Sequence, residues 1–434
     1  MRCHVAAVLG LALLATPAAS RAQEAATPVP ASSAEASPKR VRDSCLDCHR
    51  RLEDPRLSGP TKKFDVDIHF VRGLGCSGCH GGNPADPEMT AMDPDKGFRG
   101  KPERAQIAEL CASCHANAAY MKHYNPRPYI FSMDEFRTSV HCKKISEGDL
   151  KVATCTNCHG VHGILPPRDP ASPVYPKNVA ATCSHCHNAE YMKGRTVPTN
   201  QYSLWVGSVH GKALLEKGDL SAPACNDCHG NHGAVPPKVR DVTLVCGTCH
   251  GREAELFENS PVKKAMEDQG KRACVTCHGN HGVQHPTDDM LLSGRLGVCG
   301  QCHKPGSPGE RASETIIARF RGLLGRISDG DSLLALAERR GMETGVGRAA
   351  WREAQDHVIN VRAAIHSFDF AQISTVLADG EKTADAGLGH ARTALRDWRT
   401  RRVGMALSLG VILVLIGLLA LRVRRLDAGA SPSA

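Results

Sequence analysis

Apolar and polar positions divide the chain into stretches of different character. Near the start, Val5–Ala15 is apolar without interruption but too short to be a stable membrane span. Near the end, Val403–Leu421 runs 19 residues without a charge, roughly 28 Å as a helix and about one hydrocarbon core. Before that run, apolar residues recur at helical spacings of three and four. Ile316, Ile317, Phe320, Leu323, Leu324 and Ile327 mark one face. Trp351, Ala354, Val358, Val361, Ile365 and Phe368 mark a second; Ala384, Leu388, Ala391, Leu395 and Trp398 mark a third. Residues 306–402 therefore predict a small antiparallel helical bundle whose last helix can run on into the apolar span.

Residues 43–305 carry a repeat instead. FRTSVHCKKISEGDLKVATCTNCHGVHGILPP from Phe136 matches LWVGSVHGKALLEKGDLSAPACNDCHGNHGAVPP from Leu204, and LFENSPVKKAMEDQGKRACVTCHGNHGV from Leu256 follows the same plan. Each copy has a Ser-x-His-like turn, a short helical stretch and then CxxCHGxHG, with a further CxxCH 21 to 28 residues on. DIHFVRGLGCSGCHGG, paired with the site at Cys111, is a looser copy. One lone CxxCH at Cys45 precedes these four modules.

Composition agrees with the repeat. The chain holds 20 Cys and 22 His against only 4% aromatic residues, so flat apolar bulk for a core must come from elsewhere. Eighteen cysteines form nine Cys-x-x-Cys pairs. They are Cys45 and Cys48, Cys76 and Cys79, Cys111 and Cys114, Cys155 and Cys158, Cys183 and Cys186, Cys225 and Cys228, Cys246 and Cys249, Cys274 and Cys277, and Cys299 and Cys302. A histidine follows every pair: His49, His80, His115, His159, His187, His229, His250, His278 and His303. Zinc would need two such pairs per ion, nine is odd, and zinc gives no reason for the adjacent His. A disulfide framework predicts varied spacing and no such His. Haem attachment accounts for every position: two thiols add across the porphyrin vinyl groups, and the next His becomes the proximal ligand. Nine covalently attached haems c are expected.

The formal charge of +9 changes meaning with that reading. Each ferric haem c brings roughly −1, because two propionates outweigh the iron–porphyrin centre, so nine bring the oxidised protein near zero. The basic residues are propionate counter-charge, and no nucleic-acid partner is expected.

These motifs resemble the periplasmic multihaem c-type cytochromes built from doubled CxxCH motifs, over about 260 of the 434 residues. The resemblance implies a mostly α fold with extensive loops and little regular sheet, its short helices wrapped around stacked haems. It also implies electron transfer, with redox partner proteins that include a membrane quinol-oxidising subunit. The alternative is a multihaem reductase of a small nitrogen or sulfur oxyanion with one haem open to substrate. In enzymes of that kind the open haem commonly has a proximal Lys, and no CxxCK occurs here.

Twelve histidines outside the motifs could supply the second axial ligands. His69, His141 and His210 occupy the turns; His162, His232 and His281 occupy the HGxHG tails. A tail His starts from the same side as its own proximal His and is expected to serve a neighbouring haem. His123, His185, His285 and His366 are weaker candidates, and His357, His366 and His390 read as surface groups of the bundle. Cys142 reads as a spectator thiol. Val262 stands where His141 and His210 stand in the other copies. That haem must take another ligand, with Met266 and His285 nearby in sequence, or stay open; replacement is expected because spare histidines outnumber the requirement.

The resulting organisation is a signal peptide 1–22, with a small-x-small site at Ser20-Arg21-Ala22, and a flexible leader 23–42. A nonahaem domain 43–305, the bundle 306–402, a transmembrane helix 403–421 and a cytoplasmic tail 422–434 follow. Arginines flank the span on both sides, so the signal peptide decides the orientation: single-pass in the inner membrane, bulk in the periplasm.

Overall fold

The computed structural model describes residues 43–237, 241–292 and 297–429; the expected signal peptide, the leader and residues 430–434 of the tail lie outside the described residues. The fold is mostly helical with extensive loops, and no strand occurs among the described residues. Up to Cys302 the α-helices are only four to nine residues long. Four motif helices, Ser77–His80, Cys155–His159, Cys225–His229 and Ala273–His278, stop at a glycine with positive φ directly after the histidine. Gly81, Gly160, Gly230 and Gly279 turn the chain there at φ of 71 to 85°, a region other residues enter at a cost.

The Ser-x-His turns are helix starts. In α1 (Val140–Ser146), α2 (Val209–Leu215) and α3 (Pro261–Asp268), the preceding serine hydroxyl accepts the N–H of Cys142, Gly211 and Lys263 respectively. In the looser copy Asp67 does this for Ile68–Val71, accepting the N–H of His69. The residue after the cap then docks on the tail of the next module. Ile68 N–H donates to Ile164 O at 2.8 Å, Val140 to Ala234 O at 3.0 Å and Val209 to Val283 O at 2.8 Å. Each module is thus locked to its successor, as in a solenoid. In the fourth copy this position is Pro261, which has no N–H to give.

From Pro308 onward the architecture changes to three long helices, α4 (Pro308–Arg339), α5 (Gly345–Ala364) and α6 (Phe370–Gly429). The apolar faces meet in one core in which Phe320, Leu323, Ala354, Val361 and Leu377 are wholly buried. The Trp351 indole donates to Ile327 O at 3.1 Å, and Arg319 grips Glu381 across α4 and α6. At 60 residues, α6 is about 90 Å long and carries the apolar stretch beyond the bundle, where Val403–Leu426 lies bare of protein contacts.

The bundle is also fastened to the last module. Arg252 donates to Asn360 at 3.0 Å, Arg362 clasps Asp288 at 3.1 and 3.2 Å, and the Ser313 hydroxyl donates to Leu291 O. At the corner between α5 and α6, Phe368 sits at φ 51° and meets Phe257 edge-on. A bulky residue in that region is strained, so packing is what holds this corner.

Candidate haem centres

Seven motif histidines each face a second imidazole with ring centroids 5.9 to 6.4 Å apart. A nitrogen about 2 Å from a metal on each side leaves two imidazole centroids roughly 6 Å apart, so the donor set fits one six-coordinate iron per pair. Among the described residues no group of three or more Cys, His, Asp or Glu converges as a zinc site would require.

The pairs fall into two classes. Turn histidines face the second motif of their own module: His69 with His115, His141 with His187 and His210 with His250. Their planes are crossed at 86°, 68° and 51°. Tail histidines reach back to an earlier CxxCHG site: His162 faces His80, His232 faces His159 and His281 faces His229. These rings lie within 19° of parallel. The fourth CxxCHG site has no later module to supply a tail. Its His278 faces His366 at 6.1 Å and 19°, and His366 comes from the bundle.

His366 therefore departs from its reading as a surface group. It lies in the short 3-10 turn Ile365–Ser367 that ends α5, half-buried, and the docking contacts above turn it toward His278. Its signal in the sequence was indirect: the fourth tail position had to be filled from downstream of Cys302. His49 and His303 face no second imidazole at this spacing among the described residues. His123, His185, His285, His357 and His390 are not brought to a motif histidine either, and Cys142 is half-buried beside His141.

Hydrogen bonds orient several rings. The Nδ1–H groups of His80, His229 and His366 donate to the carbonyls of Gly100 (2.8 Å), Val235 (3.1 Å) and Ala363 (3.1 Å). Each leaves Nε2 with its lone pair free, the arrangement a metal-ligating imidazole needs. His69 is different: its Nδ1 lies 2.9 Å from the buried Asp67 carboxylate. Burial alone would push the Asp67 carboxyl up. Hydrogen bonds from the His69 ring and from the N–H groups of Ile164, His69 and Gly163 outweigh it and hold the carboxyl below its usual range. Burial also pushes His115, His141, His159, His187, His210, His232 and His278 down, so these rings are neutral near pH 7 and able to ligate.

The thiols run in sequence order. The thiols of Cys111 and Cys155, of Cys183 and Cys225 and of Cys246 and Cys274 lie side by side, and each pair interacts so that one thiol is raised and the other lowered. Burial raises Cys79, Cys158, Cys228 and Cys277, and the nearby thiols of Cys114, Cys186, Cys249 and Cys299 add to it. At the start of the series, the Asp43 carboxylate accepts the N–H groups of both Cys45 and Cys76. Each motif is therefore next to the one that follows it, from Cys45 to Cys302.

The lone first motif has one half-buried and one exposed thiol, as do the motifs at Cys76, Cys225, Cys246 and Cys299. Its helix Ser44–His49 carries Cys45 half-buried against Asp43, whereas Cys48, one helical turn on, is exposed. The expectation that Cys48 is the second thioether of this haem therefore rests on the motif spacing and not on an enclosing pocket. Exposure leaves its sulfur accessible to a vinyl group, and His49 follows it at the end of the same helix.

Comparison with known proteins agrees with this geometry. Residues 218–305, which hold four of the motifs, match the family model for cytochrome c3. The chain is a multihaem c-type cytochrome. The cytochrome is also 28% identical over 165 residues to a C-type polyheme cytochrome, OmcC, of Geobacter sulfurreducens. That match takes in 33% of the chain and only about one fifth of the relative's length. No solved structure matches the cytochrome.

Proposed function

We propose that the cytochrome is a membrane-anchored electron conduit with nine haems c, passing electrons between a membrane quinol-oxidising partner and periplasmic acceptors. Bound haem c supplies the one-electron ferric/ferrous couple. The polypeptide does the rest. Each Cys pair, from Cys45 with Cys48 to Cys299 with Cys302, fixes a porphyrin edge. Each motif histidine would hold one iron, and in seven of the nine sites the facing histidine would hold the same iron. His69, His141, His210, His162, His232, His281 and His366 are the seven second ligands in this reading. Two imidazoles per iron keep its geometry the same in both oxidation states, which favours transfer over catalysis.

The observation that carries the reading is the unbroken run of neighbouring motifs from Cys45 to Cys302. A reductase needs one reactive centre, whereas nine sites strung in order have the use of a wire. The α6 helix supports single-pass attachment, with the signal peptide placing the bulk in the periplasm and the inner membrane as the site of attachment. One observation favours the second reading, a reductase of small oxyanions: His303 faces no second imidazole among the described residues, and the turn expected to supply it carries Val262.

The test combines mass and spin on the mature protein. Mass spectrometry of the denatured chain should show nine haem additions; fewer than eight would sink the count. Parallel imidazole planes split the iron d orbitals and crossed planes leave them nearly degenerate. Electron paramagnetic resonance should thus resolve two low-spin families, four centres with modest g anisotropy and three with large. A single uniform family would contradict the ligand pairs.

A further inference from the structure

We infer that the ninth haem, bound through His303, keeps one open face and takes small π-acceptor ligands such as carbon monoxide or nitric oxide. The inference rests on the haem reading above.

Three copies of the repeat show which site a turn serves. The histidine that follows the cap by two residues faces the motif histidine after the next CxxCHG: His69 serves His115, His141 serves His187 and His210 serves His250. By the same register α3 serves His303. The α3 start keeps its capping geometry, with the Ser260 hydroxyl accepting Lys263 N–H at 3.3 Å, so the position two beyond the cap is the equivalent one. Val262 occupies it, and a hydrocarbon side chain has no lone pair for iron. Pro261 also lacks the N–H that docks the other three turns.

The nearby substitutes are committed elsewhere. Met266 aligns with Ile145 of α1 and Leu214 of α2, and Leu214 is wholly buried in a small core with Ala180, Trp205 and Ala224. Met266 is itself buried, the expected state of a packing residue at that register. The segment bearing His285 is held at the start of α2, through Val209 N–H to Val283 O and Gln284 to Gly207 O. Lys271 Nζ donates to Cys302 Sγ at 3.3 Å. His303 is exposed, so the site opens to solvent. Its ring is fixed at the start of α4, where Gly309 comes so close that a Cβ would stand 2.2 Å from Nδ1. In this reading neither Met266 nor His285 replaces the lost ligand.

The experiment is a carbon monoxide titration of the dithionite-reduced, full-length protein, with haem count by mass on the same sample. The wild type should bind carbon monoxide, and Val262→His should bind one equivalent fewer per chain and lose one ferric high-spin signal. Val262→Met, which offers a thioether at the same register and keeps the site apolar, should also remove one equivalent. Met266→Leu should leave binding unchanged. No binding by the wild type, an unaltered stoichiometry in both Val262 variants, or a gain of one equivalent in Met266→Leu would overturn the inference. A reduced haem count in the wild type would fault the haem reading itself, which separates the two failures.

Discussion

The modules up to Cys302 and the helices from Pro308 solve the core problem in opposite ways. The bundle closes on its own side chains: one cluster joins Ile316, Phe320, Leu323, Val361, Leu377 and their neighbours along three continuous helices. Among the described residues the modules have no cluster of that extent. Their buried apolar residues are scattered, and the core around Trp205 and Leu214 holds four buried residues. Helices of four to nine residues are far too short to be stable alone, and so little apolar burial does not offset the entropy of ordering the chain. Haem is the missing interior. Where side chains build the core, periodicity announces it; where a cofactor builds it, the signal is the attachment chemistry.

That contrast can be broken most decisively by withholding haem. Expressed without covalent haem attachment, residues 43–305 should lose protection in hydrogen exchange while the α4–α6 bundle keeps it. In the same apo-chain, Phe320→Ala should cost the bundle about 3–5 kcal/mol, read from its denaturation midpoint. Persistent protection of the modules without haem would show that their side chains suffice after all.

A smaller effect is expected at the joint between the regions. His366→Ala should convert one low-spin centre to high spin and allow one more carbon monoxide to bind, with the remaining centres unchanged. His366→Met should restore low spin at a higher potential. If neither variant alters any haem signal, the bundle is only a stalk.

The smallest effect concerns one member of the repeat. Asp67 replaces the capping serine of the sister turns and, unlike them, also holds the ligand ring through Nδ1. A carboxylate there makes the imidazole a stronger donor and favours ferric iron. Asp67→Asn should therefore raise the potential of the His115 centre alone. The shift should be on the order of 60 mV, a tenfold change for a one-electron couple. An unmoved potential would mean the carboxylate only caps the turn.

Much of the architecture was legible because it is local. CxxCH carries its own geometry, two thiols and a ligand within one helical turn, so each attachment site could be read without knowing the fold. The expectation for Cys48, exposed on its short helix, rests on that local pattern alone. The repeat exposed the turn and tail histidines, and spacing by three and four exposed the bundle. Which imidazole meets which was not legible, because each pair closes a long loop whose ends are joined by the docking of one module on the next. Ile68 on Ile164, Val140 on Ala234 and Val209 on Val283 set those distances. His366 shows the limit most clearly. Nothing in its neighbourhood of sequence pairs it with a motif histidine, and it faces His278 because Arg252, Asp288 and Phe257 hold the α5–α6 corner against the last module. The sequence by itself determined where each CxxCH motif stands. The tertiary structure decided how the second faces are covered, since contact between distant segments is a property of packing and not of either segment alone.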